Sequence, residues 1–235
     1  MHGKTILLTG AGGGLGGAFL EVLLEQKPKK IYAAARNLAN LSHLKEHQKI
    51  ELLELDITDA NSINALSARA NDIDVLINNA GVNSNTRIFE SSAYDLEVNY
   101  HGTANLCKNY FELAKERKMQ IINISSIVAL CNLPLMANYS ISKSALHSFT
   151  QALRAELKAY GSEVYEVFPG PIDTRLTEGA DMPKANPMDV AKEVLKCVAN
   201  REFDIFPDSF AKMIQERLTA DPKGVEVDFA LSVAG

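Results

Sequence analysis

TGAGGGLGG, residues 9–17, follows a short apolar run and opens an amphipathic stretch, and its reading decides the fold. Two glycine registers fit a phosphate-cradling turn. Gly12-x-Gly14-x-x-Gly17 matches G-x-G-x-x-G formally, but it starts after the strand has ended at Thr9 or Gly10. Gly10-x-x-x-Gly14-x-Gly16 puts the first glycine at the strand exit. A turn there brings backbone close to a pyrophosphate at the helix N-terminus, where N–H groups are unpaired and the dipole favours anions. Glycine repeats also serve plain flexible turns. The surroundings must decide.

Outward from this loop, apolar runs alternate with amphipathic stretches. KTILLTG (4–10), KIYAAA (30–35), IELLEL (50–55), IDVLINN (73–79), QIINISS (120–126), EVYEVFPG (163–170) and FDIF (203–206) predict seven short strands. Several are apolar almost throughout, as strands buried on both faces are. Helical patterns fill residues 15–26, 38–47, 60–70, 94–117, 140–160 and 189–200. The alternation predicts an α/β fold, a doubly wound parallel seven-stranded sheet of Rossmann type with helices on both faces. Right-handed crossovers would gather the carboxyl ends of the strands along one edge, where ligands bind. No linker, repeat or low-complexity tract interrupts the pattern, so residues 1–235 are expected to form a single domain. The tail reads as a helix from 208 to about 219, stopped near Pro222, packing over the site or against another subunit.

Composition narrows the function. With 46% hydrophobic and 23% charged residues, the chain has the make-up of a globular protein with an ample core. A net charge of -5 and no Lys/Arg cluster argue against a nucleic-acid surface; Lys27, Lys29 and Lys30 around Pro28 read as a solvated turn. No run is long and apolar enough for a membrane span, and the N-terminal residues lack the pattern of a signal peptide. Cys107, Cys131 and Cys197 form no CxxC, and His43 and His47 find no third ligand, so no metal site is expected. These features predict a cytoplasmic protein.

The second strand carries information about the nucleotide. A site for NAD shows an acidic residue at that strand's end, on the ribose 2′-hydroxyl. Here IYAAARN has Ala35 at that point and Arg36 next. A guanidinium suits a 2′-phosphate through bidentate, charge-assisted bonds, which favours NADP(H) and leaves NAD(H) possible. The alternative reading of Arg36, as a surface arginine at a helix start, is the less favoured one. Asp56 and Ile57 in LDITD are placed beside the adenine, with helix capping as the other reading of Asp56.

In NYSISKSAL (138–146), Tyr139 and Lys143 stand one helical turn apart and project from the same face. Such pairs decorate many helices. A catalytic reading is that the ammonium eases deprotonation of the phenol: moving a pKa from ~10 to about 7 takes roughly 4 kcal/mol of preferential anion stabilisation. The set TGAGGGLG, NNAG (78–81), Asn99 in VNYHG, Ser126 in NISS, YSISK and PGPIDT (169–174), in this order and spacing, resembles the short-chain dehydrogenases/reductases from Thr5 to about Phe206. The resemblance implies hydride transfer between a nicotinamide and a small-molecule carbonyl or alcohol. It assigns Asn99, Ser126, Tyr139 and Lys143 as a catalytic tetrad, and its spacing selects Ser126 over Ser125. In that assignment Tyr139 is the general acid/base, Ser126 orients the carbonyl oxygen, Lys143 also binds the nicotinamide ribose, and Asn99 holds a proton-relaying water. The nucleotide would further meet Gly10, Gly14, Leu15, Gly16, Arg36, Asp56, Ile57, Asn79, Ala80, Gly81, Tyr139, Lys143, Pro169, Gly170, Ile172 and Thr174, the last two at the carboxamide. A homodimer or homotetramer through the two long helical patterns is implied as well.

Two departures matter. Gly12 and Gly13 replace polar residues found in many relatives. The stretch from 174 to 187 is short for a lid, which predicts an open pocket; Leu130, Leu133, Leu135, Met136 and Leu176 as its lining would favour an apolar carbonyl compound. The competing function is a non-catalytic dinucleotide sensor or regulator on the same fold, which has no need of the tetrad. A sugar-nucleotide epimerase needs a larger C-terminal portion than remains after Phe206.

Overall fold

In β1 (Thr5–Thr9, TILLT) every residue is buried. Ile6 and Leu8 join one apolar cluster while Leu7 joins the other, as a period of two dictates for a strand covered on both faces. The computed structural model describes residues 1–90 and 93–233. Of the single domain expected over 1–235, residues 91, 92, 234 and 235 lie outside the described residues.

Around β1 lie β2 (Lys30–Ala35), β3 (Ile50–Glu54), β4 (Val75–Asn78), β5 (Gln120–Ile124), β6 (Glu163–Val167) and β7 (Asp204–Ile205). They form one seven-stranded sheet in the order β3-β2-β1-β4-β5-β6-β7. All neighbours are parallel. The order reverses between β1 and β4, which opens a crevice at their carboxyl ends. Helices α1 (Gly14–Glu25) and α6 (Pro187–Ala199) cover one face through Phe19, Leu23, Val194 and Val198. The other face is covered by α2 (Ala60–Arg69), α4 (Thr103–Arg117) and α5 (Ala137–Lys158) through Leu66, Tyr110 and Leu157. The doubly wound fold is as expected.

Three elements differ from the sequence reading. The stretch expected as a helix over 38–47 is a 3-10 helix, Leu38–Leu44, capped by Asn37 on the Ala39 amide. Only Leu41 is buried, so no apolar stripe holds a full α-helix together. His47 lies beyond its end and is not turned onto a common α-helical face with His43. The stretch expected as one helix over 94–117 is α3 (Ala93–Leu96), a π-helical segment Glu97–Gly102, and α4. The tail helix expected over 208 to about 219 is α7 (Ser209–Ala220), which stops before Pro222 as expected; the difference is a further helix, α8 (Pro222–Ala230), that Pro222 begins, with Asp221 accepting from the Gly224 amide. Proline suits that first turn because its missing N–H would be unpaired there anyway.

A third apolar cluster lies at the carboxyl end of β5 and β6. Ile127, Val128, Ala129 and Phe168 meet Ile214 of α7 and Val225 of α8, with Tyr139, Phe206, Phe210 and Phe229 packed alongside. The tail therefore folds back beside Tyr139. Among the described residues, no helix is long and apolar enough to cross a membrane.

Candidate active site

The glycine loop is shaped by close backbone approach. Gly10 has φ +64, and a Cβ there would stand 2.8 Å from Ala80 Cα. A Cβ on Gly16 would stand 2.2 Å from the Gly10 carbonyl oxygen, and one on Gly14 would stand 2.8 Å from a Thr174 methyl carbon. Gly12 and Gly17 have room for a side chain. The register that packing demands is thus Gly10, Gly14 and Gly16. Gly13 caps α1 without any side-chain hydrogen bond, so the first amides of the helix, at Gly14 and Leu15, have no side-chain acceptor. That is the arrangement an anionic group needs.

NNAG ties the two sides of the crevice together. Thr9 Oγ1 accepts from the amides of Asn79 (3.0 Å) and Ala80 (3.0 Å), while Asn79 Nδ2 donates to the carbonyls of Thr9 and Gly10. Beneath it, Asn78 Nδ2 donates to Asn123 Oδ1 (2.8 Å), and Asn123 Nδ2 donates to Thr150 (2.9 Å). This buried chain fastens β4, β5 and α5 to one another.

At the far end of the crevice, Arg36 is exposed and donates to the Tyr94 hydroxyl. Asp56 accepts from the Thr58 amide (2.9 Å) and hydroxyl (2.7 Å). Those bonds, with Arg36 nearby, hold its carboxyl below the usual range. Asp56 shapes that turn, and the cap of α2 is Asp59. Ile57 is buried, and its carbonyl lies where a Cβ on Gly102 would come within 2.6 Å. Pro169 accepts from the Ile127 amide (3.0 Å), and the Gly170 amide donates to Asp208 (2.8 Å). Ile172 bridges Ala185, and Thr177 closes back onto the Ile172 and Thr174 carbonyls, so the short lid segment is folded on itself.

The four tetrad residues meet at the end of β5. Ser126 is extended, caps the short turn Ile127–Ala129, and hydrogen-bonds the Tyr139 phenol. Ser125 is also buried, but its hydroxyl has no hydrogen-bond partner among the described residues. Lys143, one turn after Tyr139 on α5, places Nζ 5.7 Å from the centre of the Tyr139 ring. It donates to the Ile124 carbonyl at 2.8 Å, which leaves two ammonium donors. Asn99 comes in on the π segment. Its Oδ1 accepts from the Val82 amide (2.9 Å), and its Nδ2 donates to the Val82 carbonyl (2.9 Å) and Ser142 (2.9 Å). A Cβ on Gly81 would sit 3.2 Å from Asn99 Oδ1 and 3.6 Å from Lys143 Nζ, so Gly81, Asn99 and Lys143 are one contact group.

The electrostatics correct one expectation. With the protein's own groups alone, the net shift of the Tyr139 phenol is upward, not down toward neutrality. Burial dominates and pushes it up to about 12, against a downward pull from the Ser126 hydrogen bond, and Asp95 adds to the rise. Burial likewise brings Lys143 down to about 8, while Glu166 and Asp95 hold it up. At neutral pH the site therefore holds a protonated phenol beside an ammonium, and a further positive charge is needed before the phenol ionises.

The sequence reading passed over Glu166 and His147. Glu166 is fully buried on β6 and accepts from, or is paired with, His147 Nδ1 at 2.8 Å. Its only sequence signal is an acid in the interior of the strand EVYEV, flanked by Tyr165 and Val167.

Several known proteins are similar to this chain. The family model of the short chain dehydrogenases matches residues 4–184. A short-chain dehydrogenase of Penicillium crustosum is 32% identical over 187 residues, covering 75% of this chain and 68% of its own. An uncharacterized oxidoreductase of Staphylococcus aureus is 30% identical, covering 82% of this chain and 89% of its own. Among solved structures, a short chain dehydrogenase from Burkholderia cenocepacia in complex with NADP superposes with a TM-score of 0.92 at 33% identity, over 97% of this chain and 98% of that one. A short chain dehydrogenase/reductase from Burkholderia phymatum in complex with NAD is similar in fold, with a TM-score of 0.79 at 24% identity over 93% and 95% of the two chains. With its glycine turn, its strand order and its Ser–Tyr–Lys–Asn cluster, the chain belongs to the short-chain dehydrogenase family.

Proposed function

We propose that this protein is an NADP(H)-dependent oxidoreductase that moves hydride between a nicotinamide and a carbonyl or secondary alcohol, with Tyr139 as general acid/base. The observation that carries the reading is the meeting of Ser126, Tyr139, Lys143 and Asn99 beside the crevice that the uncapped start of α1 faces. Arg36 at the crevice rim supports NADP(H), as does the NADP in the Burkholderia cenocepacia relative. The NAD in the more distant Burkholderia phymatum structure keeps NAD(H) open as a second cofactor.

The residues divide the work. The amides of Gly14 and Leu15 take the pyrophosphate, and close packing at Gly10 and Gly16 sets the approach. Asn79, Ala80 and Gly81 form the floor, and Pro169, Gly170, Ile172 and Thr174 form the wall at the carboxamide. Arg36, Asp56 and Ile57 border the adenosine end. A bound nicotinamide supplies the carbon that gives or takes hydride, and in its oxidised form a positive charge. Ser126 holds the carbonyl oxygen, and the protonated Tyr139 hydroxyl delivers a proton to that oxygen during reduction. Lys143 has two donors for the ribose, and Asn99 retains one acceptor position on Oδ1 for a relay water. Leu130 and Leu133 lie in the apolar cluster next to Tyr139, which favours an apolar carbonyl substrate; Leu135 and Leu176 are exposed. A homodimer or homotetramer in the cytoplasm belongs to the same reading.

The test is consumption of NADPH and NADH against a panel of aldehydes, ketones and quinones, with Tyr139→Phe alongside. Turnover of at least one panel member is expected, falling by about 10²–10⁴-fold in Tyr139→Phe while nucleotide binding persists. Nucleotide binding without turnover of any panel member would favour the sensor. Equal activity in the variant would remove Tyr139 from the chemistry.

A further inference from the structure

Strand β6 carries a charge, Glu166, between the apolar Tyr165 and Val167. Glu166 is fully buried in register beside Asn123, on the strand next to the one whose Ile124 carbonyl takes Lys143. Its Oε2 lies 2.8 Å from His147 Nδ1, and its Oε1 has no hydrogen-bond partner among the described residues. His147 follows Lys143 by one turn of α5, so both side chains lie on the helix face that covers β5 and β6. The His147 ring packs edge-on to Phe168 at 5.4 Å, and its Nε2 lies 3.1 Å from Gln151. A buried acid with one unpaired oxygen is costly unless its charge is used.

We propose that Glu166 is a positioning residue of this site, a buried carboxylate whose negative charge holds the Lys143 side chain as an ammonium. The proposal rests on the reading of Lys143 as a member of the tetrad. Burial works against the Lys143 charge, and Glu166 is the first of the two carboxylates that oppose it; the other is Asp95 of α3. His147 makes the effect depend on pH. Its pKa is raised, chiefly by the hydrogen bond to Glu166, and the further charges acting on it are Asp204 of β7, which raises it, and Arg154 of α5, which lowers it. When His147 is protonated it offsets Glu166. As pH rises and His147 loses its proton, the full negative charge acts on Lys143 at the pH where the ammonium would otherwise be lost. The pair thereby extends the alkaline limb of activity.

The experiment follows Lys143 directly, by NMR titration of protein labelled with ¹³C at lysine Cε and assigned with Lys143→Arg. In Glu166→Gln, which keeps shape and removes charge, the Lys143 midpoint is expected to fall by roughly one pH unit. The alkaline limb of kcat/KM should fall with it. Glu166→Asp, which keeps the charge, should restore most of the shift. An unmoved midpoint in Glu166→Gln would overturn the proposal. If that variant does not fold, His147→Lys places a permanent cation against Glu166 at a partly exposed position. There the Lys143 midpoint should drop relative to His147→Gln, and equal midpoints in the two would reject the idea. Because the NMR midpoint needs no turnover, it still decides the matter if no carbonyl substrate is found.

Discussion

Arg36 is the residue on which the proposed preference for NADP(H) turns. It is exposed, already oriented by the Tyr94 hydroxyl, and close enough to Asp56 to lower that carboxyl. Since a hydrogen bond to a charged group is worth about 1.5–3 kcal/mol, Arg36→Ala should weaken NADPH binding on the order of 10–100-fold and leave NADH binding unchanged. Isothermal titration of both nucleotides reads this, and an unchanged preference would show that Arg36 does not contact the 2′-phosphate. The proximity of Tyr139 and Lys143 was legible from their helical spacing and the tight packing at Gly10, Gly14 and Gly16 from the loop's register, while Ser126 came from the family resemblance. What the sequence hid was their electrical state. The phenol at about 12 results from burial, which is a property of the packed site and not of the spacing between Tyr139 and Lys143.

At the level of elements, the strands could be read because runs such as TILLT and VLIN are buried on both sides. The π segment Glu97–Gly102 could not, since it is accompanied by a close passage of Gly102 against the Ile57 carbonyl, a contact between distant parts of the chain that local periodicity does not carry. Such an inserted turn often marks a functional site, and here it delivers Asn99 to Val82 and Ser142. The union of α5 with β6 makes a prediction of its own. The folded pKa of His147 lies above its unfolded value, so its pairing with Glu166 adds stability in full below the unfolded value, near 6.5, and that share is lost as pH rises through the folded value. The stability difference between the wild-type protein and His147→Gln, from urea denaturation, should therefore be larger at acid pH and shrink toward alkaline pH. A gap that widens with pH would mean that the pair does not stabilise through the His147 charge.

Taken whole, the molecule divides its labour along the chain. The proposed nucleotide side comes from β1, β2 and β4, and the apolar side beside Tyr139 is closed by α7 and α8, whose Ile214 and Val225 are buried against Ile127 and Phe168. The sequence pointed to a helix near 208–219 and left its destination open between the site and another subunit, because the partner surface is assembled from β5 and β6. Ile214→Ala should cost about 2–5 kcal/mol of stability in chemical denaturation. By loosening the turn that Ser126 caps, it should also lower kcat/KM at an unchanged nucleotide Kd. A nucleotide Kd that weakens equally would mean that the tail supports the whole sheet and not that side alone. One bond described above carries a wider consequence. Lys143 is moored to a main-chain oxygen, that of Ile124. No side-chain substitution at position 124 can delete such an anchor, so the ammonium keeps its berth through sequence drift there and would lose it only if the strand slid out of step with its neighbours.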